Sequence, residues 1–215
     1  MSISGIGPRT FDRTRCVPGG STAVPLRRLP GMIAADSLPD WNIVVTSRPG
    51  GQRAVRRALH PFVRLRRAGF RNVLIGRVGD IATFLAEVAE LLEQRRSVAS
   101  ALGKIMPVGH IFAIDVSRFH DQLAEETAPL VEQLIGRSFH VRVERRGHKG
   151  VINTHAAELA LGEALYGALE ARGAKPTVTF SDPDVVVAVE VVGNLAGIEL
   201  LTRELRQRFP FVRVD

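Results

Sequence analysis

Between Trp41 and Gly79 the chain carries nine arginines and no aspartate or glutamate. If residues 52–68 form a helix, Arg53, Arg57, His60, Arg64 and Arg67 fall within about 40° of one line at 100° per residue. No acid stands four residues away from any of them, so the like charges repel with nothing on the helix to offset them. A polyanion laid along that line removes the repulsion; a solvated face is the alternative. Arginine outnumbers lysine 26 to 3, and its planar fork suits phosphate oxygens and base edges. Codon bias can account for the ratio but not for the clustering. A second group comprises Arg142, Arg145, Arg146 and Lys149. In an alternating strand Arg142 points away from Val141 and Val143, toward the exposed face. Arg145, Arg146 and Lys149 fall on a glycine-bracketed loop before a helix, where backbone donors and the helix dipole favour an anion.

Other chemistries lack their residues. Five of the six histidines (His110, His120, His140, His148 and His155) lie within 46 residues. Their spacings of 10, 20, 8 and 7 never place two ligands one helical turn apart, so no metal site is expected. The single cysteine, Cys16, excludes an internal disulfide and a cysteine-built zinc site. The run Gly76-Arg77-Val78-Gly79 is too short for a phosphate-binding P-loop, and no GxGxxG follows a strand. Asp182 and Asp184 flank a proline, where paired carboxylates can do acid–base work, but a turn launching a strand calls for the same residues. No cofactor is expected, and the chain is expected not to be an enzyme.

These residues sit in a chain of 215, with 45% hydrophobic and 24% charged residues and a formal charge of +7. No apolar run approaches the ~18 residues of a membrane-spanning helix, so no membrane partner is expected. Cysteine usage suits a reducing, cytoplasmic setting. Residues 1–104 carry a net charge of +10 and residues 105–215 one of −3. In residues 1–39, prolines and glycines interrupt every candidate element, which predicts a disordered basic tail. Its arginines superficially suggest a transit peptide, yet an amphipathic arginine-rich helix is lacking.

The ordered part begins with a β-rich run, WNIVVT at 41–46. A helix over 52–68, kinked at Pro61, follows, then a strand over 72–78. A long helix starts near Ile81, with Ile81, Phe84, Leu85, Val88, Leu91 and Leu92 as its core stripe. Strands over 111–116 and 139–143 bracket a helix over 122–135. Thr154 can cap a helix over 155–172, with Leu159, Leu161, Leu165 and Leu169 inside. Strand 177–180 and the turn at Asp182-Pro183-Asp184 lead into Val185–Val192, whose almost continuous apolarity predicts burial on both faces. The sum is an α/β chain of two units divided near Pro107, each the size of a ferredoxin-like, split βαβ module.

The string FHVRVERRG at 139–147 resembles the first-strand signature of the THUMP domain, an RNA-binding module of tRNA-modifying enzymes. Glu158 and Gly162 on the next helix, the run Ser181 to Asp184, Glu190 in its VEV, and Gly197-Ile198 follow in the family's order. Upstream, residues 105–108 look like the hinge entering such a domain. After the tail over 1–39, the resemblance implies a small ferredoxin-like domain over 40–107 and a THUMP-like RNA-binding domain over 108–215. It also implies tRNA or another structured RNA as partner; the charge reading above makes Arg53, Arg57, Arg64, Arg67, Arg142, Arg145, Arg146 and Lys149 the expected contacts. The chain is similar to stand-alone adaptors that present tRNA to a separate modifying enzyme, one that forms acetylcytidine. Two rivals remain open: a small RNA-modifying enzyme using Asp182, Asp184 or Glu190, and a regulatory module whose basic helix grips an acidic protein. Trp41 and Tyr166 stand alone, which speaks for backbone and shape recognition over base stacking.

Overall fold

The computed structural model describes residues 41–214; the tail expected over 1–39 lies outside the described residues. The first sheet is built by the order β1 (Ile43–Ser47), α1 (Gln52–Leu59), β2 (Arg66–Arg67), β3 (Val73–Gly76), α2 (Ile81–Gln94), α3 (Arg96–Ala101) and β4 (Leu102–Pro107). Its strands lie in the order β2-β3-β1-β4, every pair antiparallel. This is split-βαβ connectivity, with the helices in the two crossovers. Asp80 starts α2 by accepting the Thr83 amide at 2.7 Å. Phe84, Leu85, Val88 and Leu91 of α2 are buried as expected, whereas Ile81 and Leu92 pack only at the margin.

The helix expected over 52–68 ends at Leu59. Pro61 has no amide hydrogen and its ring collides with the preceding turn, so it stops the helix instead of kinking it. Phe62 and Val63 both donate to the Leu59 carbonyl at 3.0 Å, and the chain then runs extended into β2. Residues 105–107, expected in a hinge, are the end of β4, where Ile105 and Met106 pair with Val45 and Val44 and are buried.

The second sheet follows after Val108 and Gly109. Its elements are β5 (His110–Ala113), α4 (Phe119–Thr127), β6 (Ser138–Arg146), α5 (Thr154–Glu170), β7 (Thr177–Val178), β8 (Val185–Val192), β9 (Leu195–Thr202) and α6 (Arg203–Arg208). The strand order is β5-β9-β8-β6-β7, with β6 parallel to β7 and β8 and the other pairs antiparallel. The helix expected over 122–135 starts earlier and gives way to 3-10 turns over 128–134, where Pro129 sits at the start. Asn153, rather than Thr154, caps α5, accepting the Ala156 amide at 3.1 Å. Leu159, expected inside, is 58% exposed, because Ala157, Leu161 and Leu165 take the buried stripe.

All eight residues of β8 are buried, as expected from their composition. Val185, Val187, Val189 and Val191 join a core with Phe139, Val141, Leu161 and Leu165. Val186, Ala188 and Val192 point the other way, into a core with Ile105 of the first sheet and the flanking Trp41 and Val108. The chain's last residues close that second core: Phe209 and Val212 are buried, and the Ile105 amide donates to the Phe211 carbonyl at 2.9 Å. At Gly197 of β9 an added Cβ would collide with Val108, so only glycine allows this approach of strand and linker.

Candidate nucleic-acid interface

The nine arginines between residues 41 and 79 are all exposed. Arg53, Arg56 and Arg57 project from α1, whose buried residues Val55, Ala58 and Leu59 occupy the opposite stripe. The break at Pro61 places the rest differently from a single helical line. Arg64 lies in the extended segment before β2, and Arg66 and Arg67 form the β2 edge itself. Arg48 follows β1, and Arg71 lies in the turn before β3. Apart from Arg77, none of the nine makes an ion pair or side-chain hydrogen bond among the described residues. Arg53, Arg57, Arg64 and Arg67, predicted on one helical line, thus stand exposed on three successive elements, with no ion pair among the described residues.

The second group divides. β6 runs through Arg146, so Arg145 and Arg146 are strand residues, not loop residues. Arg146 is 14% exposed; its guanidinium holds Glu144 at 2.9 Å and also pairs with Glu190. Glu144 in turn pairs with Lys104 of β4, which is 3% exposed. This chain of charges joins the first sheet to the second, and Arg146 is accordingly withdrawn as a phosphate contact. Arg145 donates to the Gly147 carbonyl. Arg142 remains 41% exposed, 3.6 Å from Glu158. Lys149 is exposed on the loop between β6 and α5, where Gly147, His148 and Gly150 all take positive φ. Glu158, singled out with Gly162 by the resemblance, accepts the Val143 amide at 2.9 Å. Beyond Phe139, β6 has no outer strand beside it among the described residues, and Glu158 satisfies a donor left open on that edge.

The carboxylates considered for catalysis are occupied structurally. Asp184 accepts the Ser138 amide at 2.8 Å and its hydroxyl at 2.7 Å, and Arg203 lies 2.7 Å away. The Ser138 hydrogen bonds, followed by the Arg203 charge, hold its carboxyl below the usual range. Asp182 lies 3.0 Å from Arg203 Nε. Glu190 sits six residues along from Asp184, about 20 Å at strand rise, so the three do not converge. Among the described residues no three histidine, cysteine or carboxylate side chains gather as metal ligands. His110 faces Glu126 at 2.6 Å. His140 is buried against the Thr179 carbonyl at 3.2 Å, and burial lowers its pKa.

The residue that sequence reasoning missed is Phe180, 81% exposed at the end of the β7 segment. Trp41, weighed as an aromatic, is 1% exposed and belongs to the core. Composition cannot distinguish the two; only their burial does.

The family model for the THUMP domain matches residues 115–200, so the second sheet carries a THUMP domain. No curated protein matches the chain. Among solved structures, TrmN from Thermus thermophilus is similar at 20% identity and a TM-score of 0.53, over 75% of this chain and 45% of that one. A protein described as a possible methylase from Clostridium difficile 630 is similar at 9% identity and a TM-score of 0.50, over 74% and 40%. A 4-thiouridine synthetase in complex with RNA and bound ATP shows 12% identity and a TM-score of 0.49, over 75% and 41%. The chain thus spans less than half of each of these proteins. The first two likenesses show the mixed α/β fold. They also correct the expectation that the chain is not an enzyme: its fold recurs in a protein described as a possible methylase, so that expectation is withdrawn.

Proposed function

We propose that this chain grips tRNA and presents it to the catalytic centre of a tRNA-modifying enzyme. The observation that carries the reading is the exposed, acid-free arginine surface of α1 and β2 in a chain that also holds a THUMP domain. Such a surface is costly in self-repulsion and gains from a polyanion through counterion release. Arg53, Arg57, Arg64, Arg67, Arg142, Arg145 and Lys149 are the proposed contacts. The cytoplasm is the compartment that suits the assignment. Acetylation of cytidine by a partner enzyme is one candidate for the reaction, from the resemblance to tRNA-presenting adaptors.

The test measures binding of unmodified tRNA to the full chain over a series of salt concentrations. Each phosphate neutralised contributes about 0.7–0.9 to the slope of log K against log salt. Arg53→Ala and Arg57→Ala should each weaken binding and flatten that slope by up to about one unit. Arg172→Ala, whose guanidinium donates to the Ala168 carbonyl on the far end of α5, is the control. Wild-type affinity and slope in both variants would overturn the reading, and tighter binding of an acidic polypeptide would favour a protein partner instead. Nucleoside analysis of tRNA incubated with the chain, and with S-adenosylmethionine, ATP or acetyl-coenzyme A, reads the reaction. Turnover by the chain alone would place catalysis within it.

A further inference from the structure

Phe180 is exposed on a segment that is held firmly. The Thr179 amide donates to the Phe139 carbonyl at 3.1 Å, and the Ser181 amide to Thr179 Oγ1 at 3.3 Å. Asp184 is tied to Ser138 of β6, and Arg203 of α6 grips Asp182 and Asp184. Arg206 of α6 adds a hydrogen bond to the Pro183 carbonyl. Two strand ends and a helix therefore brace a ring that faces water. The ring is thus held in water on a fixed segment, without the stabilisation that burying it would bring. Its inner neighbour is the His140 ring, with centroids 5.5 Å apart and planes 30° from parallel. Arg142 lies two residues further along β6 and points to the same side as His140, about 7 Å away at strand rise. Among the described residues no strand pairs with β6 beyond Phe139 on this side.

We propose that Phe180 is a stacking plate for one unpaired base of the bound RNA, with Arg142 beside it for the adjoining phosphate. The inference rests on the RNA-binding reading above and deepens it: the arginine surface of α1 and β2 takes backbone, and the Phe180 cluster takes a base. An aromatic ring flanked by a cation offers a nucleotide both of its attractive faces. A protein partner would need a contiguous apolar patch. In this segment only Val178, 47% exposed, adds to the ring.

The experiment uses the full chain, unmodified tRNA, and the same tRNA with 2-aminopurine at single unpaired positions. Phe180→Ala should weaken binding by about 5- to 100-fold, the range that loss of one base–aromatic stack predicts. The salt slope should not change, because no phosphate contact is lost. Phe180→Trp should restore affinity and Phe180→Leu should not. One 2-aminopurine position should be quenched by the wild-type chain and not by Phe180→Ala. The melting temperature of Phe180→Ala should match wild type, since the ring is exposed. Wild-type affinity in Phe180→Ala, full rescue by leucine, or a change in association state without RNA would each overturn the proposal. If Arg53→Ala and Arg57→Ala weaken binding and Phe180→Ala does not, the plate alone fails. If none of them does, the RNA-binding reading fails with it.

Discussion

Arginine does opposite things in the two halves of this molecule. On α1 and β2 it stands in water with no ion pair among the described residues. On β6 the guanidinium of Arg146 lies between Glu144 and Glu190 and helps join two sheets. The first kind contributes little to folding and is available to a partner. The second is part of the structure, because removing one member of a buried charge set strands the others. Surplus charge with no internal partner, rather than charge itself, marks the surface built for a polyanion.

The largest expected effect comes from the strand that both cores share. Val187→Asp or Val189→Asp would bury an unpaired carboxylate, costing several kcal/mol out of a total of ~5–15 kcal/mol. Either variant should be insoluble or show no cooperative melting, and a well-folded product at both positions would remove β8 from the centre of the fold. The charge chain between the sheets comes next. Arg146→Ala should lower unfolding free energy by about 3–5 kcal/mol in urea titration, because the buried charge set that includes Glu190, itself 2% exposed, would lose one of its cations. A loss below about 0.5 kcal/mol would erase the contrast between the two kinds of arginine.

Acidity separates two further groups. Glu199 lies on the face of β9 shared with Ala188 and Leu201, and burial raises its pKa from 4.5 to about 7. A carboxyl whose folded pKa is raised stabilises the fold fully below its unfolded value, and that contribution is lost as pH rises through about 7. Glu199→Gln should therefore be more stable than wild type at pH ~8, by up to about 3 kcal/mol, and close to it at pH ~4. His140 acts in the reverse sense. Its pKa is lowered by burial, so its contribution is present above the ordinary imidazole value and is lost as pH falls through the lowered one. In His140→Gln the acid-side fall in melting temperature should be shallower. The smallest stability effect is expected where the functional one is large. Arg53→Ala and Arg57→Ala should each shift unfolding free energy by no more than about 0.5 kcal/mol, while tRNA affinity and its salt slope both fall.

Much of this was legible before any coordinates. The nearly continuous apolar run of β8, broken only by Glu190, announces a strand covered on both faces, since such a site rewards apolar residues on either side. The acid-free arginine stretch announces a surface with an outside partner, because charge balance is a property of composition. The order of short motifs from Phe139 to Ile198 announced the THUMP domain that the family model matches. Local rules erred where they competed. Helical spacing ran on past Pro61, but one missing amide and a ring clash outweighed it. Leu159 fitted a helical stripe that α5 does not bury.

The sequence by itself determined the element types, the α/β class and the surplus of positive charge, because these follow from local propensity, periodicity and counting. Tertiary structure decided which charges are free. Arg146 and Arg53 are the same residue in similarly basic stretches, yet Glu190 reaches one of them only because β6 and β8 lie side by side in register. It likewise decided that Trp41 is core and Phe180 is surface, since burial depends on what the rest of the chain brings within contact distance.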